Sequence, residues 1–175
     1  MAASFVVEDG TGKSDANAYC TQAEADQYHE NFGSPTAWSG AAQPDKEAAI
    51  REATQYMDLW YNWNFYKTNS EQALEWPRAY AEDKDGFAIG SNVIPNKIKN
   101  ACAYLALQKI NGDVLLPVQQ DEAAIKKFKN VIGPLSEEVE FQGAERPEKS
   151  YTIADEMVKE FITVQGSGMV ELTRA

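Results

Sequence analysis

Histidine and cysteine are almost missing from this chain: one histidine, His29, and two cysteines, Cys20 and Cys102, stand among 175 residues. Zinc fingers and nitrogen- or sulfur-ligated catalytic metals need three or four such ligands at close spacing, and neither cysteine has one. The two thiols read as a reduced pair, with Cys102 a small core residue. His29, in Tyr28-His29-Glu30, reads as a helix surface residue. Long apolar runs are missing too. Nothing approaches the roughly 18 residues that would span a bilayer. The N-terminus lacks the basic and apolar segments of a secretory signal, so the expectation is synthesis and retention in the cytoplasm of the producing cell.

Positive charge is the other shortage. Sixteen basic residues face 27 acidic ones, for a formal charge of −11. Such a surface repels a phosphate backbone unless its cations are locally concentrated. The densest cluster, Lys126-Lys127-Phe128-Lys129, and the pair Lys97 and Lys99 do not amount to a basic face.

What is present includes one deceptive motif. Glu8-Asp-Gly-Thr-Gly-Lys-Ser-Asp15 contains the Gly-Lys-Ser that closes a phosphate-binding loop. Such a loop needs another glycine five positions before the final Gly-Lys, and Val7 stands there. Two acids also sit where the site should attract anions. A glycine-rich turn is the expectation.

Apolar residues make up 43% of the chain and charged residues 25%, the balance of one folded domain with a real core. Thr21-Gln-Ala-Glu24 spells a capping box, opening a helix to about Asn31 that ends near Gly33. A loop from Gly33 to Pro44 follows, with Trp38 as its anchor. Ile50, Ala53, Met57 and Trp60/Tyr61 recur at helical spacing from Asp45 to about Asn62. Ile94-Pro95 opens a third helix, apolar on most sides and stopped by Asn111-Gly112, which predicts the centre of a bundle. Ile125 to Phe128 and Val139 to Phe141 alternate in part like strands around Val131-Ile-Gly-Pro134, an extended or hairpin-like excursion, with a short helix over Asp121 to Lys129 as the alternative. A last helix over Tyr151 to Val164 would bury Ile153, Met157, Phe161 and Val164. Met169 to Ala175 alternates like a terminal strand, which would need a neighbour to cover its edge. The fold class expected is mostly α: a bundle of about four helices with an extended or β-hairpin excursion near 124–141 and an extended C-terminal tail, 169–175.

Between the second and third helices lies an aromatic-rich stretch containing Trp60, Tyr61, Trp63, Phe65, Tyr66, Trp76 and Tyr80. Interleaved aromatics can stack bases, most usefully inside a basic groove. With only Lys67 and Arg78 close by, core or subunit packing is the expectation. Glu137, Glu138, Glu140, Glu82 and Asp85 read as solvated acids rather than a catalytic pair, because acid–base work needs a carboxyl group raised by an apolar pocket. No enzyme activity, metal or cofactor is expected.

Taken in order, these pieces resemble a known family. Glu8-Asp-Gly-Thr-Gly, Ala16-Asn-Ala-Tyr19, Ala49-Ile-Arg-Glu-Ala53, Leu74-Glu-Trp-Pro-Arg78, Ile94-Pro95 with Ile98-Lys-Asn-Ala101, and the closing Val170-Glu-Leu-Thr-Arg-Ala175 look like small tailed-bacteriophage head–tail connector proteins. Some members of that set are labelled DnaT-like single-stranded DNA-binding proteins. The resemblance implies a virion structural protein at the capsid neck, made in the host cytoplasm and assembled with itself into a ring, commonly a dodecamer. Its implied partners are the portal protein and a stopper or tail-completion protein, with duplex DNA passing through unbound and no membrane involved. Ile125, Phe128, Val139, Phe141, Met169, Val170, Leu172 and Arg174 are the expected partner-binding residues. The alternative is a DnaT-like single-stranded DNA-binding protein, which the net charge argues against.

Overall fold

The computed structural model describes residues 4–116, 128–132, 135–139 and 151–163. Helices dominate, as the apolar spacing predicts. In chain order they are α1 (Gln22–Asn31), a short α2 (Thr36–Ser39), α3 (Gln43–Trp60), α4 (Asn96–Ile110) and α5 (Thr152–Val158), which continues as a 3-10 turn over Lys159–Phe161. A two-residue ribbon, β1 (Tyr66–Lys67) with β2 (Arg78–Ala79), interrupts them between α3 and α4.

The helix ends follow their local chemistry. Thr21 and Glu24 form the capping box: Glu24 N donates to the Thr21 hydroxyl at 3.1 Å and Thr21 N to the Glu24 carboxylate at 2.7 Å. Pro44 occupies the first turn of α3, where a missing N–H costs nothing. Gly112, at φ +95°, turns the chain out of α4.

α4 is the centre of the bundle and packs against α1, α2, α3 and α5. Ile98, Ala101, Cys102, Ala103, Leu105 and Ala106 are all buried on it. Small residues on several sides let four neighbours approach one helix closely. Cys20 and Cys102 are both free and buried. The sequence separates them by nearly half of the chain, yet the fold brings them together, and hydrogen bonding to Cys102 and burial push the Cys20 thiol up.

Two expectations need correction. His29 is buried, with its Nε2 3.1 Å from the Ala103 carbonyl and its ring 4.5 Å from that of Trp38. Trp38 pins the loop after α1 and recruits the histidine inward; its indole N–H donates to Asp26 at 2.7 Å, and Lys46 pairs with the same carboxylate at 2.9 Å. On α5 the buried set is Tyr151, Ala154, Val158 and Phe161, and Ile153 is exposed. Both faces of that short helix carry apolar residues at helical spacing. Packing of Tyr151 on Tyr56 and of Phe161 on Trp76 selects the observed one.

A second compact unit, Leu116–Ser150, contains an antiparallel hairpin of β3 (Phe128–Ile132) and β4 (Leu135–Val139). Phe128 pairs with Val139 and Ile132 with Leu135, the hairpin-like excursion expected there. The remaining expected contact residues, Ile125, Phe141, Met169, Val170, Leu172 and Arg174, lie outside the described residues.

Candidate functional site

The turn that imitates a phosphate loop already holds an anion, its own. Glu8 is buried, and its carboxylate accepts from Gly10 N and Gly12 N at 2.9 Å and from Lys13 N at 2.7 Å. Three convergent backbone N–H groups form the kind of nest that elsewhere holds phosphate. Here Glu8 fills it. The nest braces the residues that follow β1: Ala73 N donates to the Lys13 carbonyl at 2.9 Å. Gly10, at φ +99°, lies so close to Asn92 that a Cβ would meet its carbonyl oxygen at 1.8 Å. The turn is structural.

What it braces is a segment that turns aromatic rings outward. Tyr66 is 74% exposed, Tyr80 82% and Phe87 71%. Tyr66 sits on β1 opposite Ala79, and Tyr80 follows directly after β2, so the two tyrosines flank one short ribbon. Phe65 and Tyr80 have φ of +68° and +63°. Bulky residues rarely adopt that region, and such strain persists where the surroundings impose it, often at working surfaces. Phe87 is presented by the Asp83 turn, in which one carboxylate oxygen accepts from Asp85 N and Phe87 N, both at 2.9 Å.

Beneath the ribbon the aromatics face the other way. Trp76 is fully buried, edge-on to Trp63 at 6.0 Å and to Phe161 at 5.3 Å. Arg78 donates to the Phe65 carbonyl at 2.7 Å and pairs with Glu75, which also binds Lys67 at 3.0 Å. Gln72 donates to the carbonyls of Leu74 and Pro77 at 2.8 and 3.1 Å. One further anchor comes from α3. Asp58 accepts from the Tyr19 hydroxyl and, at 3.3 Å, from Glu75 N, while Trp76 N donates to the Tyr19 oxygen at 3.3 Å. Burial pushes the Asp58 carboxyl up to about 7. Burial also lifts the Tyr19 phenol well above its ordinary range, and Asp58 adds to the effect.

The electrostatics of this surface are not those of a phosphate groove. Lys67, Arg78 and Lys84 are its cations, against Glu71, Glu75, Glu82, Asp83 and Asp85. Each cation already faces a carboxylate, Lys84 through Asp85 at 3.6 Å. The arrangement can therefore offer flat π faces for stacking but little neutralisation of phosphate. Among the described residues, no group of three or more histidine, cysteine or acidic side chains could hold a metal ion. No described helix is long and apolar enough to cross a membrane.

Expectation and structure part company on the aromatics. Core packing holds for Trp76 and Tyr61, both buried, while Tyr66 and Tyr80 stand outside the core. Phe87 and Asp58 went unremarked in the sequence. For Phe87 a signal existed in the adjacent Asp85-Gly86 turn, which puts its neighbour on an exposed bend. Asp58 carried none, because an acid on an amphipathic helix normally faces water.

The chain matches, over residues 3–175, the model of a family described as "Putative DnaT-like ssDNA binding protein". It belongs to that family. No curated protein and no solved structure matches it. The family assignment overturns the expectation of a virion neck protein with a self-assembled ring, portal and stopper partners, and DNA passing unbound. The expectation leaned on the net charge of −11, which sums over the whole surface. A total of that kind says nothing about three uncharged rings standing clear of it.

Proposed function

We propose that this chain binds single-stranded DNA by stacking unpaired bases on Tyr66, Tyr80 and Phe87, with no catalytic chemistry of its own. The observation that carries the reading is the exposure of these three rings within one braced segment. The family's description supports it. Stacking accepts any base, because every base has a π face, and it excludes duplex, whose bases are already stacked.

The acidic surface gives this mode of binding a distinctive salt response. A protein that neutralises many phosphates loses affinity steeply as salt rises. Here few counterions would be released, and added salt screens the repulsion between strand and protein. Affinity for an oligothymidylate should therefore change little between low and moderate salt.

Fluorescence anisotropy with labelled oligothymidylate and a matched duplex tests the reading. The chain should prefer the single strand, and Tyr66→Ala and Tyr80→Ala should each weaken binding by about 1–3 kcal/mol, roughly five- to over a hundred-fold. Equal affinity for duplex, or full affinity in the double variant, would remove the ribbon from the site. A steep loss with salt would instead place the strand on lysines elsewhere.

A further inference from the structure

We infer that the groove between α1 and α4 is a further base-binding pocket, which takes one unstacked base of the strand and holds it by its hydrogen-bonding edge. The link to a strand rests on the function proposed above; the match to a base stands on the chemistry of the groove itself.

The groove has a volume of about 330 Å³, near the lower bound of the ~300–1,000 Å³ typical of small-ligand sites. Two rings of α1 and its cap line it. Tyr28 is buried, and Phe32, whose ring centroid lies 4.9 Å from that of Tyr28, is 70% exposed. Phe32 is therefore propped on one aromatic neighbour and free to receive another. Helix α4 contributes Asn96 and Asn100, one turn apart and so on the same side of the helix. Among the described residues, neither of these side-chain amides has a hydrogen-bond partner. Across from them Gln27 donates to Asn31 at 3.2 Å, which leaves the Gln27 side-chain carbonyl and an Asn31 N–H unspent.

The charges of the groove cancel. Lys99 pairs with one oxygen of Glu24 at 2.6 Å, and the other oxygen accepts from Thr21 N in the capping box. A phosphate would find no unpaired cation there. What remains is a ring and four carboxamides, and their complement is a neutral, flat group with a donor and an acceptor side by side. Every nucleobase has such an edge, and a carboxamide can meet it with two hydrogen bonds. An amide can turn over to suit either order of donor and acceptor, so the groove asks for a base without choosing which one. A peptide group offers the same donor and acceptor but lacks the π face that Phe32 could cover. The groove also lies within reach of the ribbon segment. Phe87 and Asn96 are nine residues apart in the chain, which limits their separation to about 30 Å, and exposed Val93 lies between them. A strand of the ~4–16 nucleotides that single-strand modules cover can touch both.

Two measurements on the full chain test the pocket. In the first, labelled oligothymidylate is titrated into Phe32→Ala and Asn100→Ala. Loss of the ring should weaken binding about fivefold or more, and loss of the amide about two- to tenfold. In the second, the side-chain N–H₂ resonances of Asn96 and Asn100 are followed by NMR as thymidine is added, with deoxyribose 5-phosphate as the control. Both resonances should move with thymidine and stay in place with the sugar phosphate. Full strand affinity in both variants, with the resonances unmoved, overturns the pocket and leaves the ribbon as the site. Resonances that answer to the sugar phosphate and not to thymidine overturn it too, because the groove would then hold phosphate. Resonances that move with thymidine while no oligonucleotide binds keep the base pocket and remove the strand-binding function.

Discussion

Between Gln43 and Trp60 the backbone bonds to itself in one regular repeat; between Asn62 and Val93 scattered backbone bonds share the task with side chains. In α3 each peptide group finds its partner four residues away, and the apolar stripe needs only to meet α4. In the ribbon segment Arg78 holds Phe65, Gln72 holds Leu74 and Pro77, Thr68 holds Ser91, and Asp83 holds Phe87. A helix turns its large residues toward its neighbours because its repeat puts them on one stripe. A chain fixed point by point has no repeat, so it can send Trp76 inward and Tyr80 outward within four residues. Irregularity is what lets this small domain display aromatic rings while keeping a core.

The difference predicts where single substitutions do most damage. Trp76 joins the two regions, since its indole touches Trp63 on one side and Phe161 after α5 on the other. Trp76→Ala should cost about 3–5 kcal/mol in a denaturant titration, the loss expected for a large buried aromatic. It should also release the ribbon, read as increased exchange at Thr68, whose amide bonds the Pro77 carbonyl. An unchanged midpoint would mean that the core closes without the segment.

The helical region was legible in the sequence because its signals are local and periodic. Thr21 and Glu24 announce α1, Pro95 and Gly112 bracket α4, and a mostly apolar helix can lie only at the centre. The hairpin was legible as an excursion, but the expected runs, Ile125 to Phe128 and Val139 to Phe141, meet the observed strands only at Phe128 and Val139. The ribbon was not legible. Tyr66 and Trp76 look alike in a sequence, and which one is buried depends on Glu8, Asp58 and Tyr19, residues distant in the chain. The same holds for α5, where either face could have been the inner one until Tyr56 and Trp76 chose.

A smaller effect sharpens the comparison at the far end of the brace. Glu8→Gln keeps the shape of the side chain but replaces one acceptor oxygen of the nest with an amide, which faces a backbone N–H in either orientation. The cost should be about 1–3 kcal/mol, the range for a buried donor left without its partner. Exchange at Gly10, Gly12 and Lys13 should rise together, and protection at Ala73 should fall with them because it bonds Lys13. Helix α4 should be unaffected until global unfolding. If α4 loosened in step with the nest, the two regions would be one cooperative unit and the contrast drawn above would fail.

The smallest expected effect separates strain from exposure within the ribbon. Tyr66 and Tyr80 are both exposed, but only Tyr80 stands at positive φ. At Tyr80 the β-carbon opposes the backbone, so Tyr80→Gly should be more stable than Tyr80→Ala by about 1 kcal/mol. At Tyr66, which lies on β1, glycine brings only added freedom to the unfolded chain, and the order should reverse by about 0.5–1 kcal/mol. Four unfolding midpoints decide it. If alanine and glycine rank the same way at both positions, Tyr80 carries no imposed conformation, and its display would follow from exposure alone.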